Sequence, residues 1–289
     1  MLFWGLTFVW FKTAVQYYEP ITIIFIRLLI ASSLLFAFAL LTGRLEKVKR
    51  TDFTLFLLLA LSQPFLYFLG ESYGLKFVSS TISSAIIATI PLFSPFVALW
   101  FTGEKINGYT WSGIVVSFLG ILIMLVNPDL SLNASLKGVL LLFGAVLAAV
   151  IYSVFVRKLA HKYSSLTIIS YQNLLGAVYF LPLFLIFDFR GFVQVVPDAD
   201  LMLSLLQLAI FGSCLAYIFF IMAIAKLGMV KANIFTNLIP VFTAIASYFI
   251  LAEVFTLQKI SGVLLVVLGI VVSQLKELMM LMKKQENRV

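Results

Sequence analysis

Three side chains in one uncharged stretch offer the clearest chemistry in this sequence. Gln63, Tyr67 and Glu71 stand at i, i+4 and i+8. On an unbroken helix they share one face, drifting about 40° per step. An amide, a phenol and a carboxyl together can hold a small polar molecule and take up a proton. An ionisable group in an apolar stretch is costly and faces a bundle interior or a wet cavity. Gln63 and Tyr67 are then substrate contacts. Glu71 is a coupling group, loading a proton or an amine on one side and releasing it on the other. The competing reading pairs Glu71 with Lys76 or Lys12 at the outer edge of its span.

A second set lies further along. Asn233 and Asn237 are four apart, beside Thr236 and Pro240. Asn237 is a substrate-contact candidate, and Asn233 falls nearer the inner edge. Helix–helix hydrogen bonding, worth about 0.6 kcal/mol in membranes, is the alternative for both. Trp4, Tyr152 and Tyr217 are candidates for an aromatic wall, although 15% of the chain is aromatic and packing explains most such residues. Pro91 and Pro240 are candidate hinges, because proline removes a helical hydrogen bond and permits a bend. Ser79, Ser80, Ser83, Ser84 and Pro95 around Pro91 suit close helix packing. Arg27 calls for a structural partner, Glu104 and Glu253 read as edge anchors, and His161 and Cys214 as bystanders.

No nucleophile–base–orienter set, P-loop or dinucleotide fingerprint occurs. A single Cys and a single His exclude a disulfide, a thiolate zinc site and a His cluster. The expectation is a protein that is not an enzyme, with no cofactor and no metal.

These residues must be positioned in lipid. Of 289 residues, 63% are hydrophobic and 11% charged, with a mean hydropathy of +1.12. Soluble domains carry about 45–50% apolar and about 25% charged residues. The net charge of +8 is scattered between apolar runs, which argues against a nucleic-acid partner and for a membrane protein. Uncharged runs cover 28–43, 53–70, 77–103, 106–128, 138–156, 163–187, 201–225, 232–252 and 260–275. The first extends back to Ile21 and the last forward to Met282. A further span runs from Leu2 to Tyr18, which makes ten spans of about 20 residues each. None alternates as a barrel strand does. With both termini inside, fourteen of the twenty Lys and Arg lie inside, five outside and Arg27 within a span. That bias places the termini in the cytoplasm and the 188–200 loop outside. Asn133-Ala134-Ser135 matches a glycosylation acceptor by chance, in a short loop near the membrane.

The chain also repeats itself. At an offset of 149, Ile90, Pro91 and Phe93 meet Ile239, Pro240 and Phe242, and Glu104 meets Glu253. Ser112-Gly113 meets Ser261-Gly262, and Leu119-Gly120-Ile121 meets Leu268-Gly269-Ile270. Each copy holds five spans, so the second enters the membrane inverted, the architecture of many secondary transporters. The domain reading is a first repeat over 1–128, a second over 129–282 and a cytoplasmic tail over 283–289.

Trp4-Gly5 with Lys12, Phe25-Ile26-Arg27, the stretch from Tyr73-Gly74-Leu75-Lys76 to Pro91 with Gly103-Glu104 and Gly113, and Lys231-Ala232-Asn233 through Asn237, Pro240 and Glu253 together resemble the EamA family of the drug/metabolite transporter superfamily. The resemblance covers nearly the whole chain. It implies ten helices, cytoplasmic termini and export of small metabolites such as amino acids. Members of that family carry about ten more residues before the Trp-Gly pair, and the first eighteen residues reach only about 27 Å against a core of about 30 Å. The native chain is therefore expected to begin upstream of Met1.

Two classes of function compete. An intramembrane enzyme needs clustered acids, His or metal ligands within the spans, which this chain lacks. A secondary transporter needs an inverted repeat and a polar midplane. Within transport, a nucleotide-sugar or phosphate-sugar exchanger is the runner-up. It needs several cations at its cavity, where only Lys12, Arg27, Lys76, Lys226 and Lys231 are available. The reading is an exporter of a small metabolite across the inner membrane. Its partners are the small-molecule substrate and the bilayer.

Overall fold

Lipid offers no partner for a backbone N–H or C=O, so apolar runs of this length must close their hydrogen bonds internally as helices. The computed structural model describes residues 1–93, 108–126, 134–227, 238–254 and 256–286. Its helical segments in chain order are α1 (Leu2–Ala14), α2 (Pro20–Leu41), α3 (Arg50–Phe77), α4 (Ser80–Phe93), α5 (Gly108–Leu125), α6 (Leu136–Ala160), α7 (Ser165–Phe192), α8 (199–227), α9 (Ile239–Leu251) and α10 (Leu257–Glu286). Six of them, α2, α3, α5, α6, α7 and α8, are long and apolar enough to cross a bilayer, and Ser80–Phe93, Ile239–Leu251 and the Leu257–Ser273 part of α10 are shorter apolar helices. The chain is a multi-pass, all-helical membrane protein.

Local sequence sets the boundaries. Pro20 opens α2 at the one turn where its missing N–H costs nothing. Ser79 and Ser164 cap α4 and α7, each accepting a backbone N–H three residues on. The first helix stops at Ala14 rather than at Tyr18, because 15–18 form a turn in which the Gln16 and Tyr17 N–H groups bond back three residues, to Thr13 and Ala14. In α4 the regular helix ends at Ile87 and a break follows at Ala88–Thr89. Pro91 causes it, since its ring clashes with the carbonyl four residues back, that of Ile87. Pro240 sits instead in the first turn of α9, where proline is accommodated without a bend. Thr236, whose carbonyl that ring would displace, lies outside the described residues, as do Asn233, Asn237, Pro95 and Glu104.

The surface is apolar, and the interior places small polar residues among its apolar core. Leu41, Phe187 and Phe249 are 89%, 68% and 77% exposed, while Ser80, Ser83, Ser84, Ser117, Ser170 and Ser213 are fully buried. Small residues permit this packing. A Cβ on Gly113 would lie 2.3 Å from the carbonyl oxygen of Gly269, and one on Gly120 2.6 Å from that of Gly262. Between them Ser117 donates to the carbonyl of Val266 at 3.1 Å. These contacts make one close antiparallel seam between α5 and α10. Elsewhere α1 packs on α8 and α9, α2 on α7 and α8, and α3 on α6 and α7.

Candidate functional site

Gln63 does not extend a helical stripe. Its backbone is extended, at φ −147° and ψ 121°, inside an otherwise helical α3. Pro64 is the cause, because the residue before a proline is driven out of the helical region. The break turns the Gln63 amide away from the face of Tyr67 and Glu71, and its Nε2 donates to the Tyr217 hydroxyl of α8. Past the break the helix resumes, and Tyr67 and Glu71 keep the i, i+4 relation. The Tyr67 hydroxyl donates to Glu71 Oε1 at 2.7 Å.

The edge pairing considered for Glu71 is not formed. Lys76 binds Glu19 instead, at 2.8 and 2.5 Å to its two carboxylate oxygens. Lys12 interacts electrostatically with Glu253. Glu253 is more than an anchor. Its carboxylate accepts the Ser80 N–H at 2.8 Å and the Thr81 hydroxyl at 2.9 Å, capping the start of α4 from the end of α9.

The charge that Glu71 does meet is Arg27. This arginine is 4% exposed, and its Nε donates to Ser213 Oγ on α8 at 3.0 Å. Its guanidinium carbon lies 4.3 Å from the centroid of the Phe68 ring, a cation–π geometry. Arg27 and Glu71 line one narrow cavity of about 10 Å³ together with Thr7, Phe8, Phe11 and Ser72, space for about one water. A buried arginine is tolerated in lipid only when paired, and here the ring, the hydroxyl and the facing carboxylate supply the compensation.

Around this centre the neutral polar groups form a chain. Asn173 of α7 donates to the Ile169 carbonyl at 3.1 Å and the Ser213 carbonyl at 3.4 Å. The Tyr152 hydroxyl of α6 donates to Gln172 Oε1 at 3.0 Å. Trp4 meets Tyr217 edge to face, with ring centroids 5.2 Å apart. Of the aromatic candidates, Trp4 and Tyr217 are therefore in contact, and Tyr152 joins through its hydroxyl chemistry rather than as part of one wall. Cys214 is buried beside Ser213, with its thiol facing the Ala31 carbonyl at 3.7 Å.

Sequence reasoning passed over Ser213, Gln172 and Asn173, and assigned Arg27 no acid because it searched one span at a time. Gln172-Asn173, two amides in the middle of an uncharged run, was the available signal. Chemically the arrangement offers one cation, one carboxylate and a rim of amides and phenols, enclosed by α1, α2, α3, α7 and α8. Among the described residues no three His, Cys, Asp or Glu gather as a metal site.

Comparison with known proteins gives a consistent result. Residues 1–126 and 136–274 match the model of the EamA-like transporter family. Two uncharacterized transporters of Archaeoglobus fulgidus are 30% and 29% identical, the first over 93% of both chains and the second over 88% of this chain and 87% of the relative. The uncharacterized transporter YetK of Bacillus subtilis is 27% identical over 87% of this chain and 77% of its own. One solved crystal structure superposes with a TM-score of 0.69 at 15% identity, covering 95% of this chain and 93% of the other, which is a likeness of fold alone.

Proposed function

The chain belongs to the EamA-like transporter family, a branch of the drug/metabolite transporters, and from that premise we propose that it exports a small zwitterionic metabolite, such as an amino acid, by alternating access. The observation that carries this reading is the cavity flanked by Arg27 and Glu71. A guanidinium on one side suits a carboxylate, and a carboxylate on the other suits an ammonium group. Gln63, Tyr67, Trp4, Tyr152 and Tyr217 form the polar and aromatic rim, with Asn237 as a further contact. Glu71 doubles as the coupling group, Pro91 acts as a hinge at the break in α4, and Pro240 as one at the start of α9 rather than within it.

The architecture in this reading is ten transmembrane helices in two inverted five-helix repeats, 1–128 and 129–282, followed by a cytoplasmic tail. Several observations support it. The glycines that match at an offset of 149 face one another across the α5–α10 seam, as a twofold axis between inverted copies requires. Turn residues meet only turns assigned to their own side, as Glu19 meets Lys76 and Glu253 meets Ser80. The Lys and Arg bias supports cytoplasmic termini, and with them a place in the inner membrane. Cysteines at Gln194 and Gln285 in a Cys214→Ser background test this with an impermeant thiol reagent. Labelling at Gln194 alone in intact cells is expected, and equal or reversed labelling overturns the orientation.

A phosphate-sugar exchanger is disfavoured by the charges at hand. Lys12 and Lys76 turn to Glu253 and Glu19, which leaves Arg27 as the cation beside Glu71 among the described residues. Purified protein in liposomes, assayed by counterflow with labelled neutral amino acids and with hexose phosphates, decides between them. Uptake of an amino acid that is lost in Arg27→Gln is expected. Uptake of hexose phosphate alone overturns the assignment.

A further inference from the structure

Besides the offset of 149, the chain carries a second register. At an offset of 146, Tyr17 meets Tyr163, Ile23 meets Ile169, Leu28-Leu29 meets Leu174-Leu175, and Ala31 meets Ala177. Further on, Asp52 meets Asp198, Leu55 meets Leu201, and Phe65 meets Phe211. The second copy therefore holds three extra residues between its third and fourth helices, and its first three helices keep their own alignment.

The matched residues are bonded crosswise. The Tyr17 hydroxyl donates to Asp198 Oδ2 at 2.6 Å, and the Tyr163 hydroxyl donates to Asp52 Oδ2 at 2.9 Å. In each bond the tyrosine follows the first helix of one copy, and the aspartate opens the third helix of the other. The two bonds stand at opposite ends of the bundle. Tyr17 precedes α2, Asp52 follows it, and the 22 residues of α2 span about 33 Å.

A second crosswise pair accompanies the first. The Thr22 N–H and hydroxyl donate to Asp188 Oδ2 at 3.1 and 3.0 Å, at the Tyr17 end. At the Tyr163 end, the Glu46 N–H donates to Thr167 Oγ1 at 3.1 Å, and the Ser164 N–H donates to Glu46 Oε2 at 2.6 Å. At each end the start of one copy's second helix is held by an acid from the far end of the other copy's second helix, Asp188 in the last turns of α7 and Glu46 just beyond α2. An inverted repeat produces such exchanged partners, and packing alone does not require them.

We propose that the Tyr17–Asp198 and Tyr163–Asp52 bonds are the two gates of the transport cycle, one sealing the outer face and the other the inner. The proposal rests on the alternating-access reading above. Each bond ties one repeat to the other at a single face, so separating the repeats at that face must break it and leave the opposite bond intact. Both are formed here. They are not equally strong. The outer bond is exposed and stands alone on Asp198 apart from its own helix cap. The inner one is buried, with Lys162 Nζ bound to Asp52 Oδ1 at 2.6 Å and the Lys49 N–H donating to the Tyr163 oxygen at 3.1 Å. The outer gate therefore opens more readily.

The test uses the full chain in oriented vesicles, with Cys214→Ser removing the native thiol and Thr7→Cys, on the cavity wall, as the reporter. An impermeant maleimide is applied from either face. Tyr17→Phe, which removes one hydroxyl, is expected to raise outer-face labelling about threefold and leave the inner face unchanged. Tyr163→Phe is expected to raise inner-face labelling about tenfold, the larger effect following from a buried charged partner. Should either substitution disturb folding, Tyr17→Cys with Asp198→Cys replaces it. Oxidation should close the outer face to the reagent, and a reductant should reopen it. A parent reporter that labels from both faces but ignores both Phe substitutions and the crosslink ends the gate proposal alone. A parent reporter that labels from one face only removes alternating access, and the gates with it.

Discussion

Along the α5–α10 seam the glycines of the two halves coincide under the repeat, and at the polar centre the corresponding residues differ. Gly113 and Gly120 face Gly269 and Gly262, which are the same residues under the repeat. At the centre, Arg27 corresponds to Asn173, Tyr67 to Ser213 and Glu71 to Tyr217, at the offset of 146. The two copies nevertheless touch here: Arg27 of the first binds Ser213 of the second, and Gln63 of the first reaches Tyr217 of the second. Identity is kept where two halves must exchange shapes about an axis. It is lost where a molecule without that symmetry has to be held. The first copy supplies the charges, and the second supplies the neutral donors and acceptors that orient them.

This contrast can be broken most directly at the seam. Gly113→Val and its counterpart Gly262→Val should each destabilise the protein by about 3 kcal/mol, because the added atoms meet backbone or a buried Met124. Thermal unfolding in detergent checks it, and a large loss at one position with none at the other contradicts a symmetric seam. The centre should behave in the opposite way. Arg27→Asn, which places the second copy's residue in the first, should cost about 3 kcal/mol by leaving Glu71 buried without its cation, and should abolish uptake. Asn173→Ala should cost about 1 kcal/mol, the loss of one neutral hydrogen bond. Equal losses at the two positions would show that the charges do not divide the labour as argued.

Glu71→Gln sharpens the same point at smaller energetic cost. It keeps the shape and the hydrogen bond from Tyr67 but cannot take up a proton. Gradient-driven uptake should stop while counterflow persists, and unchanged gradient-driven uptake ends the coupling role. The smallest effect belongs to the outer gate. The Tyr17 hydroxyl, followed by the Leu201 N–H, holds the Asp198 carboxyl below its ordinary value of 3.8, and Asp200 is the other acid nearby. A carboxyl depressed in the folded state contributes its full stabilisation above its ordinary value and loses it as pH falls through the depressed one. Outer-face labelling of Thr7→Cys, divided by the labelling of a free thiol at the same pH to remove the thiolate's own titration, should therefore be flat from neutral pH down to about 4 and rise only below it. A rise between pH 5 and 7 would assign the gate to another group.

Much of the scaffold was legible in the sequence because lipid imposes it. Uncharged runs gave the helices, and the Pro, Glu and Gly coincidences are what the proposed repeat rests on. The seam glycines were visible as identities before any contact was known. The centre was harder, because its partners come from different helices. Arg27 seemed to lack an acid only because Glu71 lies on α3 rather than α2. Ser213 looked like any small residue in a span. The Gln63 break was readable from Pro64, whose effect on its predecessor is local. The crosswise tyrosines stayed hidden because three extra residues in the second copy shift the register, and a single offset cannot display both halves.

The placement of Arg27 and Glu71 on one cavity also has an electrical meaning. With both ionised, the centre carries no net charge, so the membrane voltage does no work on it as the faces exchange, and a bound zwitterion leaves that balance unchanged. Protonation of Glu71 tips the sum to plus one. Each 100 mV across the bilayer then contributes about 2.3 kcal/mol for a full crossing, in proportion to the fraction of the field traversed. In the alternating-access reading proposed above, this one carboxylate then decides whether turnover is deaf to voltage or driven by it.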